Sequence, residues 1–315
     1  MNIFKKIQTA WDWRKAYVEK NKLEAFRLVN GTGDDLPGLM VDYYGGSFQV
    51  VFKDPIWISK KEELLRALRE MSRVIDPKRE IHFFEVENFS PQVGVPLAAP
   101  VHTKKIISEH EFKFETHLGE GLHTGLFLDQ RENRKTIFFN SSDRRVLNLF
   151  SYTGAFTIAA LKGGAKEVVS VDLSKNYLEW LKRNVELNGF DLRQSPVWAR
   201  DVFDYLKLAQ KKNEKFDLII IDPPTFSRSG KNTFSTEKNL KALVSQALSL
   251  LRSQGNMFIS VNTLKMDRRD FQLEVEKTLN GSTFQILKSL SVPRDFKLTP
   301  EEEKNPYLKA CWVGL

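Results

Sequence analysis

The chain has 315 residues, of which 41% are hydrophobic and 28% charged, and this balance excludes a mostly disordered protein. A chain of this length exceeds what one ordinary hydrophobic core serves, so we expect two domains. The 48 Lys and Arg residues outnumber the 40 Asp and Glu residues, and the net charge of +8 suits a polyanionic partner without requiring one. The single cysteine, Cys311, excludes an intramolecular disulfide and a multi-cysteine metal site.

The first 22 residues lack the continuous apolar stretch of a secretory signal, and the apolar run 218–221 is far too short to cross a bilayer. We therefore expect a soluble, cytoplasmic protein that does not associate with membranes. Residues 1–22 are predicted to form a helical arm rich in lysine and tryptophan. Its aromatic side chains either anchor the helix to the rest of the protein or face a nucleic acid.

Residues 23–120 are predicted to form a small α+β domain. Runs 48–52 and 81–86 have the composition of strands, and 111–115 alternates between apolar and charged residues as a half-solvated strand does. Between them, 59–73 carries apolar residues at a helical period.

From about residue 121 to residue 315, short apolar runs alternate with helical stretches. Strands that alternate with helices favour βαβ units and a parallel sheet. In such a sheet, ligands bind beyond the carboxyl ends of the strands, at the point where the strand order reverses. The residues that follow each apolar run are therefore the candidates for a binding site.

The first two runs end in residues suited to a ribose and to a ligand that approaches the backbone. Run 145–150 leads into Ser151 and Gly154 at the start of a helix, where backbone amides are accessible, although a tight βα turn explains this pattern equally well. The next run ends in Asp172, about 20 residues beyond the first turn, where an acid hydrogen-bonds the hydroxyls of a ribose. Asp172 could instead cap the following helix.

The third and fourth runs end in further acids. Asp201 could accept a hydrogen bond from an adenine amino group, or it could belong to a surface turn. Asp222 is followed by two prolines that stiffen the loop, and then by Phe226, so that an acid and an aromatic ring project together. This pair can hold and stack a planar base, and a purely structural turn is the alternative.

Ribose and adenine contacts without a three-glycine phosphate loop indicate a nucleoside cofactor that lacks a pyrophosphate. S-adenosylmethionine (SAM) fits better than NAD, because carboxylates favour its cationic sulfonium. The five histidines show no metal-binding spacing, and we expect no metal.

Several segments resemble one family, the class I SAM-dependent methyltransferases that modify bacterial 23S ribosomal RNA, as the cytosine-C5 methyltransferase I and the guanine-N7 half of the K/L enzyme do. The similar segments are 27–31, 36–42, 125–134, 148–154, 171–172, 184–188 and 222–227. The resemblance implies an α/β fold, a Rossmann-like class I methyltransferase sheet with a smaller N-terminal α+β domain. It also implies a segment, 125–134, that closes over SAM.

We assign the predicted site on these patterns and this resemblance together. The residues expected to bind SAM are Asp129, Arg134, Asn148, Phe150, Ser151, Gly154, Ala155, Phe156, Asp172, Leu173, Asp201, Val202 and Asp222. The residues expected to act in catalysis are Asp222, Pro223 and Phe226.

The chain departs from the cytosine-C5 relatives in two respects. Its first 25 residues are too few for their PUA module. Methylation of cytosine C5 needs a cysteine in the cleft, but strand 256–261 is followed by Asn262 and Thr263, and Cys311 lies in a terminal strand-like run. We therefore reject C5 and favour guanine N7 in 23S rRNA. A small-molecule or protein acceptor, and a non-catalytic factor that binds SAM and RNA, remain as alternatives.

Contacts with RNA are less specific in the sequence. The cationic candidates beside the cleft are Arg228, Lys231, Lys265, Arg268 and Arg269. A homodimer is left open.

Overall fold

The computed structural model describes residues 2–77, 82–88, 95–96, 103–229 and 232–315. The chain forms two compact units, one of Met1–Asp129 with Pro293–Pro300, and one of Gln130–Val292 with Glu301–Leu315. The boundary lies at residues 129 and 130, later than the expected 120 and 121. No pattern in the sequence indicated that a segment near the carboxyl terminus belongs to the first unit.

The N-terminal helix is part of the core of the first unit. Its apolar residues recur every three or four positions and form one buried face, which includes Ile3, Ile7 and Trp11. These side chains pack with Phe26 and other apolar residues of the unit's sheet. The anchoring interpretation of residues 1–22 therefore describes this helix.

The first unit contains a five-stranded sheet in sequential order, in which the third and fourth strands are parallel and the other neighbours antiparallel. Two helices connect the two parallel strands, and a separate hairpin follows. The elements are α1 (Ile3–Lys20), β1 (Ala25–Asn30), β2 (Leu39–Tyr44), β3 (Ser47–Phe52), α2 (Ile56–Ser59), α3 (Lys61–Ile75), β4 (His82–Glu87), β5 (Val95–Pro96), β6 (Thr103–Glu109) and β7 (Phe112–Leu118). Residue 81, in a predicted strand, lies outside the described residues.

Buried polar contacts hold segment Pro293–Pro300 in the first unit. Arg14 donates from Nε to the carbonyl of Asp295 at 2.8 Å, and the backbone amide of Arg27 donates to Asp295 Oδ2 at 2.9 Å. Gly33 allows the segment to approach closely, because a Cβ at Gly33 would lie 2.0 Å from the carbonyl oxygen of Lys297.

The second unit is a seven-stranded sheet with helices in the connections. Its elements are α4 (Arg131–Phe139), β8 (Arg145–Leu149), α5 (Ala155–Lys162), β9 (Glu167–Asp172), α6 (Lys175–Leu187), β10 (Val197–Ala199), α7 (Val202–Lys211), β11 (Phe216–Ile221), β12 (Phe226–Ser229), β13 (Asn232–Ser235), α8 (Thr236–Leu248), β14 (Leu251–Asn262), α9 (Arg268–Leu279), β15 (Gln285–Leu290), α10 (Pro300–Lys304) and β16 (Leu308–Gly314). β12 and β13 form a separate hairpin.

The strand order of the large sheet is β10-β9-β8-β11-β14-β16-β15. This strand order confirms the predicted Rossmann-like α/β sheet, but the sheet is not parallel throughout, although the sequence had predicted a parallel sheet. β16 runs antiparallel to both of its neighbours, β14 and β15. The connection from β15 to β16 contains the segment Pro293–Pro300 and the short helix α10, and no long crossover helix of the kind that joins parallel strands.

The core of the second unit is made of β8, β9, β11 and β14 with the helices that cover them. The central residues of β8 and β11 are fully buried, as expected for strands covered on both faces. Among the described residues, none of the helices combines the length and the apolarity that crossing a bilayer requires.

Candidate cofactor and acceptor site

The reversal of strand order lies between β8 and β11, which are parallel neighbours. The chain continues from β8 to β9 on one side and from β11 to β14 on the other, so a crevice opens at the carboxyl ends of β8 and β11. Asp172 is the last residue of β9, and Phe150, Asp201 and Asp222 follow β8, β10 and β11 respectively. Because these strands are consecutive in the sheet, the four residues lie along one edge.

The turn after β8 has a strained backbone. Phe150, Tyr152 and Gly154 all have positive φ angles, of 56°, 49° and 85°. Two hydrogen bonds hold it in place, from the amide of Ser151 to Val171 at 3.0 Å and from the amide of Gly154 to Ser151 at 2.8 Å. Strain of this kind concentrates at ligand sites.

Gly154 is required at its position for two reasons. Its φ angle of 85° disfavours any residue with a Cβ, and that Cβ would lie 2.5 Å from Cγ of Leu181 on α6. The turn therefore starts α5 in close contact with α6.

Ser151 leaves a polar atom unsatisfied at this turn. The residue is buried, and no described residue forms a hydrogen bond with its Oγ. Buried hydroxyls almost always have a partner, so a ligand with a polar group fits here.

Asp172 connects the turns after β8 and β9. Its Oδ2 accepts from the amide of Tyr152 at 2.9 Å, and its Oδ1 accepts from the amide of Ser174 at 2.9 Å. The cap of α6 is Ser174, which accepts from the amide of Tyr177, so the helix-cap interpretation of Asp172 is wrong. A carboxylate oxygen can accept more than one hydrogen bond, which leaves capacity for two ribose hydroxyls.

Burial raises the pKa of Asp172, and hydrogen bonds from the amides of Ser174 and Tyr152 partly oppose this effect. The pKa of Tyr177 is also raised, first by burial and then by the charge of Asp172. The Tyr177 ring meets the Tyr152 ring edge-on, with their centroids 4.4 Å apart. Beside them, Leu173 is 46% exposed. Neither tyrosine was among the predicted binding residues, although Tyr152 lies within the motif of the first turn.

Asp201 is the N-cap of α7. Its Oδ1 accepts from the amides of Phe203 at 2.9 Å and Asp204 at 3.3 Å, whereas no described residue donates to its Oδ2. Val202 is buried behind it. The capping role is thus a structural fact, and the adenine contact stays a prediction.

Asp222 belongs to a hydrogen-bonded network that the sequence patterns did not indicate. Its Oδ1 accepts from Ser260 Oγ at 2.5 Å and from Gln130 Nε2 at 3.0 Å. Gln130 is oriented in turn by Asn133, whose Nδ2 donates to Gln130 Oε1 at 2.5 Å. Gln130 and Asn133 lie in the segment 125–134 that resembles the family. Ser260 is a polar residue within the apolar run of β14, and this interruption was the feature of the sequence that could have indicated the network.

The loop after Asp222 is tied to two other elements. The hydroxyl of Thr236, the first residue of α8, donates to the carbonyl of Pro224 at 3.0 Å, and the hydroxyl of Thr225 donates to the carbonyl of Asn262. Pro223 is buried, whereas the ring of Phe226 is 52% exposed. The loop therefore fixes its backbone and presents an aromatic side chain.

Other predicted binding residues have buried side chains. Phe156 packs against Phe258 with centroids 5.4 Å apart, and Asn148 donates to Thr157 at 2.9 Å. Phe156 is buried, so a ligand reaches it through its backbone, whereas Ala155 at the start of α5 is partly exposed. Phe150 is half-buried and packs against Phe234 of β13.

The remaining predicted residues have different positions. Arg134 is buried on α4. Asp129 is buried and belongs to the first unit, and its contact with SAM stays a prediction. Lys231 and the side chain of Arg228 lie outside the described residues.

Cys311 is buried in β16, as expected. Burial raises the pKa of its thiol to about 12, which opposes formation of a nucleophilic thiolate. In the described ranges, no group of three or more His, Cys, Asp and Glu residues could hold a metal ion.

The donor set fits SAM. An unsatisfied buried hydroxyl, Ser151 Oγ, lies at the turn after β8, and carboxylates follow β9, β10 and β11. Carboxylates at a crevice stabilise a cationic ligand, and the strained turn after β8 brings backbone amides close to it.

Comparison with known proteins supports this fit. Residues 27–310 match the family model described as S-adenosylmethionine-dependent methyltransferase. The ribosomal RNA large subunit methyltransferase K of Neisseria meningitidis is 33% identical over 98% of this chain and 84% of its own. The ribosomal RNA large subunit methyltransferase I of Aeromonas salmonicida is 32% identical over 98% of this chain and 79% of its own. The crystal structure of SMU.776 complexed with SAH superimposes with a TM-score of 0.91 at 31% identity, and covers 100% of this chain and 82% of that chain.

Proposed function

Since the chain belongs to the S-adenosylmethionine-dependent methyltransferase family and uses SAM as its cofactor, we propose that it methylates a base nitrogen of large-subunit ribosomal RNA, with guanine N7 as the acceptor. Its relatives are named as ribosomal RNA large subunit methyltransferases, and this supports RNA as the substrate. The anchored carboxylate of Asp222 beside the exposed ring of Phe226 is the observation that supports a base as acceptor.

The side chains at the carboxyl edge of the sheet have separate roles in this proposal. Asp172 holds the ribose hydroxyls, and Asp201 Oδ2 accepts from the adenine amino group. Ser151 Oγ pairs with a polar group at the other end of the cofactor. When bound, SAM supplies an electrophilic methyl group on a cationic sulfonium.

The acceptor base is held by residues after β11. The Asp222 carboxylate accepts from the donor edge of guanine, and Phe226 stacks on its face. Guanine N7 carries no proton and is already nucleophilic, so these residues contribute alignment and exclusion of water rather than a general base. A base within an RNA helix must first be flipped out of its stack.

Carbon C5 of cytosine is a poor candidate for this site. Its methylation requires a thiolate that adds to the base, but β14 ends in Asn262 and is followed by Thr263. Cys311 is buried in β16 with a raised pKa, so it offers no thiolate to a bound base.

The test is transfer of labelled methyl from SAM to deproteinised large-subunit rRNA by the purified protein, followed by mass spectrometry of the nucleosides. We expect 7-methylguanosine, and loss of the product with Asp222→Ala. 5-Methylcytidine as product would overturn the assignment of the acceptor atom. Transfer to a small molecule or a protein, with none to RNA, would overturn the proposal as a whole.

A further inference from the structure

The first unit has a surface cavity of about 290 Å³ that is lined by lysines. Lys5 and Lys6 reach it from the start of α1, and Lys297 reaches it from the segment Pro293–Pro300. Thr9, one turn further along α1, contributes to the same wall. Three lysines thus line one concave surface.

The three lysines of the lining outnumber its two acidic residues, Asp34 and Asp35. Asp34 is buried and forms a two-point ion pair with Arg14, at 2.9 and 2.6 Å, and its Oδ1 also lies 4.0 Å from Nζ of Lys297. Asp35 provides the other carboxylate, and its carbonyl oxygen accepts from Lys6 Nζ at 2.6 Å. The lysines therefore leave the cavity with an excess of positive charge.

The wall that carries Lys297 is held in a defined position. The carbonyl of Lys297 accepts from Asn30 Nδ2 at 2.9 Å. The ammonium of Lys297 and the guanidinium of Arg294 lie 5.7 and 5.8 Å from the centroid of the Trp13 ring. Cations over an aromatic face are attracted to it, so Trp13 favours positions of both side chains near its ring.

We propose that this cavity binds a backbone phosphate of the RNA substrate, an inference that rests on the proposed function. Lysines that converge on a concave surface bind phosphate as point charges, and phosphate contacts supply affinity without reading sequence. Helix α1 then has two roles. Its buried face packs in the core of the unit, and its Lys5 and Lys6 bind the nucleic acid.

The experiment measures binding of a fluorescently labelled large-subunit rRNA fragment over a range of salt concentrations. The test variant is Lys5→Ala with Lys297→Ala. The matched control, Lys15→Ala with Lys20→Ala, removes the same charge from exposed positions on α1 outside the cavity. We expect the test variant alone to bind more weakly and to have a slope of log K against log salt shallower by about 0.7–0.9 for each lost phosphate contact.

Equal losses in both variants would show a general effect of net charge and would overturn the inference, as would wild-type affinity in the test variant. Melting temperature and SAM affinity should match the wild type in both. Failure of the proposed function is distinguishable, since it appears as absence of RNA methylation by the unmodified protein. RNA methylation with unaltered binding by the test variant would overturn the phosphate site only.

Discussion

Ser260 on β14 donates a 2.5 Å hydrogen bond to Oδ1 of Asp222 at the end of the neighbouring strand β11. Gln130 Nε2 reaches the same oxygen at 3.0 Å. Two donors on one carboxylate oxygen restrict the rotation of Asp222, so its orientation is set before an acceptor base arrives.

We predict that Ser260→Ala lowers kcat for methyl transfer about five- to tenfold, the equivalent of one hydrogen bond of roughly 1–1.5 kcal/mol. SAM affinity should stay near the wild-type value, because the proposed function assigns the affected carboxylate to the acceptor base. Single-turnover transfer and calorimetric titration with SAM measure the two quantities. Asp222→Ala should lower transfer further, and parallel losses of transfer and SAM affinity in either variant would contradict an acceptor role.

Asp172→Ala is predicted to weaken SAM binding by roughly 1–3 kcal/mol, the range for loss of a buried hydrogen-bond partner. The substitution also removes the link between the amides of Tyr152 and Ser174. The control is Asp191→Ala, since Asp191 is bonded to the neighbouring Arg193 at the protein surface. Calorimetry decides the matter, and unchanged SAM affinity in Asp172→Ala would count against the ribose contact.

The raised pKa of Asp172 predicts opposite pH trends for binding and stability. SAM affinity should fall as pH falls through this pKa, because a protonated carboxyl loses both its charge and one acceptor oxygen. The folded pKa lies above the unfolded value near 3.8, so the contribution of Asp172 to the free energy of unfolding is complete below that value and is lost as pH rises through the folded pKa.

Titrations with SAM from neutral pH downwards check the binding trend. Asp172→Asn should bind weakly with a flatter pH profile, since it has no carboxyl to protonate. An unchanged profile in this variant would assign the pH dependence to another group.

Asp201→Ala separates helix capping from cofactor binding. Asp201 caps α7 and Asp267 caps α9, each through its carboxylate, and loss of either cap should lower the free energy of unfolding by about 0.5–2 kcal/mol. Asp201→Ala alone should also weaken SAM binding, since its Oδ2 is assigned to adenine. Denaturant unfolding and SAM titration of both variants measure the two effects, and equal SAM affinities would leave Asp201 a capping residue only.

Gly154→Ala is predicted to disrupt the turn after β8 through steric overlap with Leu181 as well as backbone strain. Gly281 has the same φ angle of 85°, but nothing lies within 4 Å of a Cβ there. Gly281→Ala therefore measures the strain alone. We expect Gly154→Ala to lower melting temperature and SAM affinity more than Gly281→Ala does, and similar effects would show that the contact with Leu181 relaxes easily.

Local patterns in the sequence predicted the architecture of the second unit. The apolar runs at 145–149 and 216–221 correspond to β8 and β11, and Asp222 follows the second run directly. Burial on both faces of a parallel strand requires a continuous apolar run, and the acid after such a run has to lie at the carboxyl edge of the sheet. The apolar run and the acid that follows it can both be read from residues adjacent in the sequence.

Contacts between distant parts of the chain had no such pattern. Gln130 lies 92 residues from Asp222, and Arg14 lies 281 residues from Asp295. A polar residue in a helix or strand has many potential partners, and only the path of the chain selects one. The sequence by itself determined the central strands of the large sheet, the acidic residues at their ends and the cofactor class. The orientation of Asp222 and the lysine cavity depended on tertiary packing, because hydrogen bonds between remote residues leave no periodic signal in the sequence.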